Sequence, residues 1–382
     1  MKIAILTDGI WPYVIGGMQK HSYLLCKYLA REKIFVSLFH PQTESYTAEK
    51  QRELFTDEEL EYIEWVEVAN PKKYSFPGHY LYESYLYSKN CFALLVSRND
   101  IGFIYAKGLT AWYSLIQKRR LHCKVGIKVH GYEFLQIQAN NREKWNARLL
   151  GWPFRYLHKK ADYVFSYGGN ITQYIRMLGV PAEKIIEIPG AVEAEWLQTT
   201  PKKGSGHTKK FFFMGRFERR KGIEEINLAL RALGDNVGFE FHFVGPIPAQ
   251  KQISFPHVKY HGLLTSKEQI TNLMDQMDVL VCPSYSEGMP NVIMEAMSRG
   301  CAVIATNVGA VPLLVDKENG WLIQPASVEE LREVIFAAAV TDYNQIELMG
   351  QASLNRIRNK YTWPIMIELF KRRLSAKIKP DE

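Results

Sequence analysis

Residues 286–300 read SEGMPNVIMEAMSRG, and the stretch sets two carboxylates, Glu287 and Glu295, eight positions apart around a Pro-Asn pair. Pro290 near the start and Gly300 past the end predict a helix over roughly 290–299, between the apolar runs VLVCPSYS and CAVIATN. Glu287 then lies on the loop entering the helix, and Glu295 lies in its second turn on the face of Asn291. Amides near Gly288, Met289 and Asn291 form an anion site, because a first helical turn has unpaired N–H groups and a positive dipole end. A ligand suited to this arrangement has an anionic centre flanked by hydroxyls, which is the pattern of a sugar nucleotide. The alternative stays open on spacing alone: glutamate near a helix start stabilises by ~0.3–1 kcal/mol without any ligand.

A diphosphate needs counter-charge, and GRFERRKGIEEI (215–226) offers it after the apolar strand KKFFFM. Arg216 and Lys221 are the candidate ligands, a planar fork and a compact charge, whereas Arg219 and Arg220 read as a solvated turn. In PYVIGGMQKH (12–21), Gly16 and Gly17 allow close approach of backbone to a ligand, although GxGxxG is absent. His130, in KVHGYEF, ends a strand at the same predicted edge, although a lone histidine is more often structural.

These residues need elements that bring them together. Short apolar runs alternate with helical patterns along nearly the whole chain, which predicts a parallel α/β architecture. The strands are KIAILT, FVSLFH, FIYAK, KVGIKVH and YVFSYG, then KKFFFMG, FEFHFVG, VKYHG, VLVCPS, AVIATN and WLIQP. The polar stretch TTPKKGSGHTKK (199–210) reads as a linker or surface loop into the second half. The expected fold class is therefore α/β, with two Rossmann-like doubly wound domains facing across a cleft and ligands at the carboxyl ends of the strands. The domains are predicted at 1–195 and 196–361; periodicity leaves the placement of the terminal stretch 362–382 open.

Bulk properties bound the rest. At 382 residues, 47% hydrophobic and 23% charged, the chain has a globular composition and room for two cores. Five scattered cysteines suggest neither a disulfide framework nor a zinc site, and fit a reducing compartment. The opening MKIAILTDG is too short for a signal peptide and no run reaches ~20 apolar residues, so the expectation is a cytoplasmic protein. The net charge of +8 is uneven: residues 101–160 hold twelve Lys/Arg against Glu133 and Glu143, while 51–100 hold five against nine acids. With Trp112, Tyr113, Trp145, Trp152, Phe154 and Tyr156 interleaved, the basic segment suits an anionic membrane surface better than a plain charged face.

Taken together, EGMPNVIMEA with its E-x7-E spacing, GRFERRKG, the Gly-Gly loop and VHGYE resemble the retaining glycosyltransferases of family 4, which have the GT-B arrangement. The resemblance covers essentially the full chain, departing at Gly190-Ala191, where the family usually has Asn-Gly. It implies that Arg216 and Lys221 hold the diphosphate leaving group, and that Glu287 orients the donor sugar. It places Gly288, Met289, Pro290 and Asn291 against sugar and phosphate, Glu295 on the ribose, Gly16 and Gly17 over the phosphates, and His130 facing the donor sugar. It also implies a C-terminal helix, 362–382, packed back on the first domain.

The implied activity is transfer of a hexose-type sugar from a nucleotide-diphosphate donor, UDP expected, to a lipid-linked or surface-glycan acceptor. The implied chemistry is front-face displacement with no metal or other cofactor; DxD occurs nowhere in the chain. Expected partners are the nucleotide-sugar donor, the glycan or lipid-linked acceptor and the anionic inner face of a membrane, with no nucleic acid. Two other readings compete: a sugar-nucleotide epimerase or hydrolase, for which His130 and Glu133 are the acid–base candidates, and a non-catalytic nucleotide-sugar binder.

Overall fold

The computed structural model describes residues 1–14, 16–43, 47–198, 208–235 and 238–378. Among the described residues, thirteen strands form two sheets. β1 (Lys2–Leu6), β2 (Val36–Pro41), β3 (Ile63–Val68), β4 (Ile101–Lys107), β5 (Lys124–Lys128), β6 (Tyr163–Ser166) and β7 (Ile185–Glu187) make the first. β8 (Lys209–Met214), β9 (Phe239–Val244), β10 (Val258–Tyr260), β11 (Val279–Cys282), β12 (Ala302–Thr306) and β13 (Gly320–Ile323) make the second. Their orders are 3-2-1-4-5-6-7 and 10-9-8-11-12-13, and the paired strands are parallel throughout. Each sheet thus reverses direction of growth beside its first strand, between β1 and β4 and between β8 and β11. That switch point opens a crevice at the carboxyl edge.

All eleven strands expected from apolar runs are present, and β3 and β7 are additional. β3 (IEWVEV) sits at the sheet edge, where Glu64 and Glu67 interrupt the apolar run; Glu64 meets Lys2 at 2.6 Å and Arg98 at 2.6 Å. β7 spans three residues, too short to register as a run. Of the expected linker 199–210, residues 199–207 lie outside the described residues, and Lys209 and Lys210 already belong to β8. Residues 379–382 of the terminal stretch also lie outside them.

The chain crosses back at its end. The helix Tyr343–Lys360 packs on the second domain, and Val192 then exchanges backbone hydrogen bonds with Tyr361 and Trp363 at 2.8 and 3.1 Å. Beyond this crossing the helix Trp363–Ile378 turns Trp363, Met366, Ile367, Phe370 and Leu374 toward Ile3, Ile5, Tyr105 and Phe165 of the first domain. Their spacing of three or four keeps one apolar stripe inward, and each fully buried side chain contributes ~1.5–3 kcal/mol. Trp363 stacks on Tyr28 with ring centres 5.2 Å apart. A second buried cluster is continuous across the cleft floor, joining Leu6, Ile127 and Tyr167 to Met289, Ile293 and Val311. Among the described residues, no helix is long and apolar enough to cross a membrane.

Because Trp363 anchors the returning helix, Trp363→Ala is expected to cost ~3–5 kcal/mol of unfolding free energy, read as a lowered denaturant midpoint. A near-wild-type midpoint would show that the helix contributes little to the first domain's stability.

Candidate active site between the two sheets

A cavity of about 620 Å³ opens between the carboxyl edges of the two sheets. Every candidate residue lines it: Gly16, Gly17, His130, Arg216, Lys221, Glu287, Gly288, Met289, Pro290, Asn291 and Glu295. The helix after β11 runs Asn291–Ser298, with Pro290 at its N-cap and Gly300 in the left-handed region (φ 68°) beyond its end. It has no side-chain cap and no acid in its first turn, so its positive end is uncompensated where it meets the cavity.

Glu287 is the electrostatic centre. Its Oε1 lies 2.6 Å from Lys221 Nζ and 3.9 Å from an Arg220 guanidinium nitrogen, and the side chain is buried. Burial works to raise its carboxyl pKa, but Lys221 and then Arg220 outweigh burial and hold it below the ordinary value. The two cations come from a 3-10 turn, Arg219–Lys221, after β8. That turn closes on Gly222 at φ 75°, where a Cβ would strike the Pro283 carbonyl, so only glycine lets it pack under the β11 loop.

Arg220 corrects the expectation drawn from sequence. It is a cavity residue rather than a solvated turn residue: it donates to the Ser286 carbonyl at 3.3 Å and pairs with Glu218 at 2.9 Å. Burial opposes its charge, but Glu287, Glu218 and Glu133 together raise its pKa. Arg219 is the structural member of the run, bound bidentate to Glu225 at 2.7 and 2.8 Å and set over the Tyr285 ring. Arg216 lines the cavity, is paired with Glu218 at 3.0 Å and has a side chain 68% exposed.

The first domain supplies the opposite wall. Gly16, extended at φ 178°, caps the helix Gly17–Arg31, and a Cβ on Gly17 would reach the Asn291 side chain. From that helix Lys20 spans the cleft to Glu295 at 3.3 Å. Gln136 grips the Glu287 main chain from both sides, accepting from its N–H at 3.2 Å and donating to its carbonyl at 3.0 Å. Gly288 lies so close beneath His130 that a Cβ would strike the His130 carbonyl. Lys20, Gln136 and Arg220 are not among the site residues expected from sequence; Lys20 and Gln136 take their partners from the facing domain, and Arg220 takes Glu287 and Ser286 from the loop after β11 in its own.

The His130 imidazole has both nitrogens occupied, Nε2 at 3.1 Å from Lys107 Nζ and Nδ1 at 2.6 Å from the Tyr167 hydroxyl. Burial lowers its pKa well below the ordinary value, with Lys107 and Lys128 adding to the effect. Lys107 and Lys128 are themselves fully buried. Two of the twelve cations counted on the basic segment are therefore interior, a second correction.

Since Glu287 is ionised by its cations, Lys221→Met leaves a buried carboxylate with only the more distant Arg220. The loss is expected at ~1–3 kcal/mol near pH 7. The native pair stabilises above the carboxyl's ordinary pKa and is lost as pH falls through its lowered one. The difference between variant and wild type should accordingly shrink as pH falls below the carboxyl's ordinary range, read from denaturant midpoints at several pH values. A difference unchanged by pH would remove the ion pair as its cause.

Comparison with known proteins follows this geometry. The Glycosyltransferase Family 4 model matches residues 15–196, and the Glycosyl transferases group 1 model matches residues 208–339. A Bacillus subtilis (strain 168) protein named as a teichuronic acid biosynthesis glycosyltransferase, TuaC, is 37% identical over 123 residues, 32% of this chain and 31% of its own. The capsular polysaccharide biosynthesis glycosyltransferase CapM of Staphylococcus aureus is 25% identical over 180 residues, 44% of this chain and 47% of its own. The chain spans 31% to 62% of the length of the first two curated relatives it matches. Among solved structures, sucrose-phosphate synthase from Thermosynechococcus elongatus superposes with TM-score 0.77 at 17% identity, covering 98% of this chain and 99% of its own. Anabaena HepE in complex with UDP and glucose superposes with TM-score 0.67 at 17% identity over 98% and 100% of the two chains. Matched on both sides of its cleft, and laid end to end over two-domain neighbours, the protein belongs to the group 1 glycosyltransferases and has the GT-B fold.

Proposed function

We propose that this protein is a retaining glycosyltransferase that moves a hexose-type sugar from a UDP-sugar to a lipid-linked or surface-glycan acceptor. The observation that carries the reading is the convergence of Arg216, Arg220, Lys221, Glu287 and the Asn291–Ser298 helix start on one cavity. The cations and the helix dipole meet a departing diphosphate, each charge-assisted hydrogen bond contributing ~1.5–3 kcal/mol. Glu287, kept ionised, accepts from sugar hydroxyls, and Glu295 exchanges Lys20 for the ribose diol. Charge neutralisation by these side chains lets the reaction proceed without a metal. The leaving phosphate oxygen takes the acceptor's proton in a front-face displacement, so that rate comes from orientation and preorganised charge. An epimerase or hydrolase would need a free acid–base pair, and both nitrogens of His130 are already engaged. Anabaena HepE, which binds UDP and glucose, and CapM, named for capsular polysaccharide, support the choice of donor and of a glycan acceptor.

A membrane-facing acceptor is supported by the helix Asn141–Lys160. Trp145, Leu149 and Trp152 project from one face, the tryptophans 66% and 68% exposed, between exposed Lys144, Arg148, Arg155 and Lys159. Apolar rings flanked by cations are the pattern of a helix lying in an anionic headgroup layer.

Calorimetric titration with UDP, GDP and ADP, without added metal, is expected to give saturable binding of UDP, weakened at least tenfold by Arg220→Ala. Absence of binding by any of the three would remove the donor-site reading. Trp145→Ser with Trp152→Ser should reduce sedimentation with vesicles containing phosphatidylglycerol and leave UDP binding intact. Unchanged sedimentation would count against the membrane-facing acceptor.

A further inference from the structure

Behind the first-domain wall of the cavity lies a polar cluster at the carboxyl ends of three adjacent strands. Lys107 ends β4, Lys128 ends β5, His130 follows β5 and Tyr167 follows β6. Lysines at such positions ordinarily reach water, yet both are fully buried. Lys107 Nζ lies 2.8 Å from His21 Nδ1 as well as 3.1 Å from His130 Nε2. Lys128 Nζ donates to the Ile188 carbonyl at 2.8 Å and stands 3.7 Å from the centre of the Tyr167 ring. Burial lowers the pKa of both amines well below the ordinary value, and two such groups held beside one cavity histidine call for an explanation beyond packing.

Hydrogen-bond roles follow from the donors present. A lysine amino group has two N–H bonds when neutral and three when charged, so in either state Lys107 can donate to both histidines. With Lys107 as the donor, the nitrogens it faces are acceptors, which places the His130 proton on Nδ1, donated to the Tyr167 hydroxyl.

We propose that Lys107 is a positioning residue for glycosyl transfer, which holds His130 neutral as its Nδ1–H tautomer and prevents it from becoming a cation facing the donor sugar. The inference rests on the glycosyl-transfer reading above. Departure of the nucleotide leaves positive character on the anomeric carbon. A protonated imidazole in the wall would oppose that charge in a partly dry site, where repulsion exceeds its strength in water. Burial and then Lys128 lower the Lys107 pKa well below its ordinary value, yet the amine remains the more basic partner of the His130 Nε2 it touches, so a proton entering the pair goes to Lys107 rather than to the ring.

The charged and titratable groups around His130 are Lys107, Lys128, His21 and Tyr167 on its own side, with Asp8 acting on Lys107. Glu133 lies over Gly131 in the following loop, and Glu287 with Lys221 and Arg220 stands across the cavity. Burial lowers the His130 pKa first, and Lys107 is the largest of its charged contributors. Removing Lys107 takes one lowering influence away, so the His130 pKa rises toward its ordinary value and the cation appears as pH falls.

The test uses the full chain labelled with 15N-histidine, the His130 signal being identified from a His130→Asn variant. In the wild type, long-range proton–nitrogen correlations should show His130 neutral and protonated on Nδ1 from about pH 8 to about pH 6. Lys107→Met should let His130 titrate in that range, with kcat falling about tenfold per pH unit below the new pKa and UDP affinity changed less than about threefold. Lys107→Gln, which keeps an N–H donor and loses the charge, should retain the tautomer yet acquire the same acid limb. A proton on Nε2 or a charged His130 in the wild type overturns the proposal, as does a wild-type pH profile in Lys107→Met. If the wild type neither binds UDP nor transfers sugar, the glycosyl-transfer reading has failed and the proposal falls with it. Comparison of the wild-type and Lys107→Met histidine spectra then still reports whether Lys107 sets the state of His130, which separates the two failures.

Discussion

A carboxylate that must stay ionised inside protein dictates the rest of the cleft. Glu287 sits buried at the end of the β11 loop, and a charge taken out of water needs partners at close range. Lys221 and Arg220 answer that need from the turn after β8, which Gly222 alone can close against Pro283. The main chain of the same residue is gripped by Gln136 from the other domain. One residue thereby fixes two loops of its own sheet, the start of a helix and the facing wall.

This arrangement explains why the two domains meet as closely as they do. Gly288 admits the His130 carbonyl, Met289 receives the Gly190 N–H at 3.0 Å, and Lys20 reaches Glu295. The chain's return through Tyr361–Trp363 adds a covalent tether on one side of the cleft, and the stripe from Trp363 to Leu374 secures it. A ligand entering the cavity therefore competes with contacts that already hold the domains together. Lys20–Glu295 is the pair most open to exchange, since both groups face the cavity and neither is fully enclosed.

The charge distribution has two layers with different duties. Outside, the Asn141–Lys160 helix presents Trp145 and Trp152 among exposed cations. Inside, Lys107 and Lys128 are shielded from solvent, and their effect falls on neighbouring rings rather than on a distant partner. A single basic segment in the sequence thus divides between exposed surface charge and buried amines beside a histidine.

Much of the architecture was legible in the chain because parallel strands buried on both faces must be apolar throughout, and eleven runs stand out on that ground. The E-x7-E spacing, GRFERRKG, Gly16-Gly17 and VHGYE likewise carried the candidate site, since loops after parallel strands share one edge whatever the details of packing. β3 escaped because Glu64 and Glu67 break its apolar run, and the pairing of Glu64 with Lys2 and Arg98 is invisible in a linear pattern. Arg220 looked like its neighbour Arg219; only the fold turns one guanidinium to Glu287 and the other to Glu225. Lys107 and Lys128 looked like surface charge, and burial came from the helices and loops that close over β4 and β5. By itself the sequence determined which elements form and which loops share an edge, because those follow from local periodicity and parallel connection. The tertiary structure decided which charges face one another and which lose water, because that depends on contacts between residues far apart in the chain.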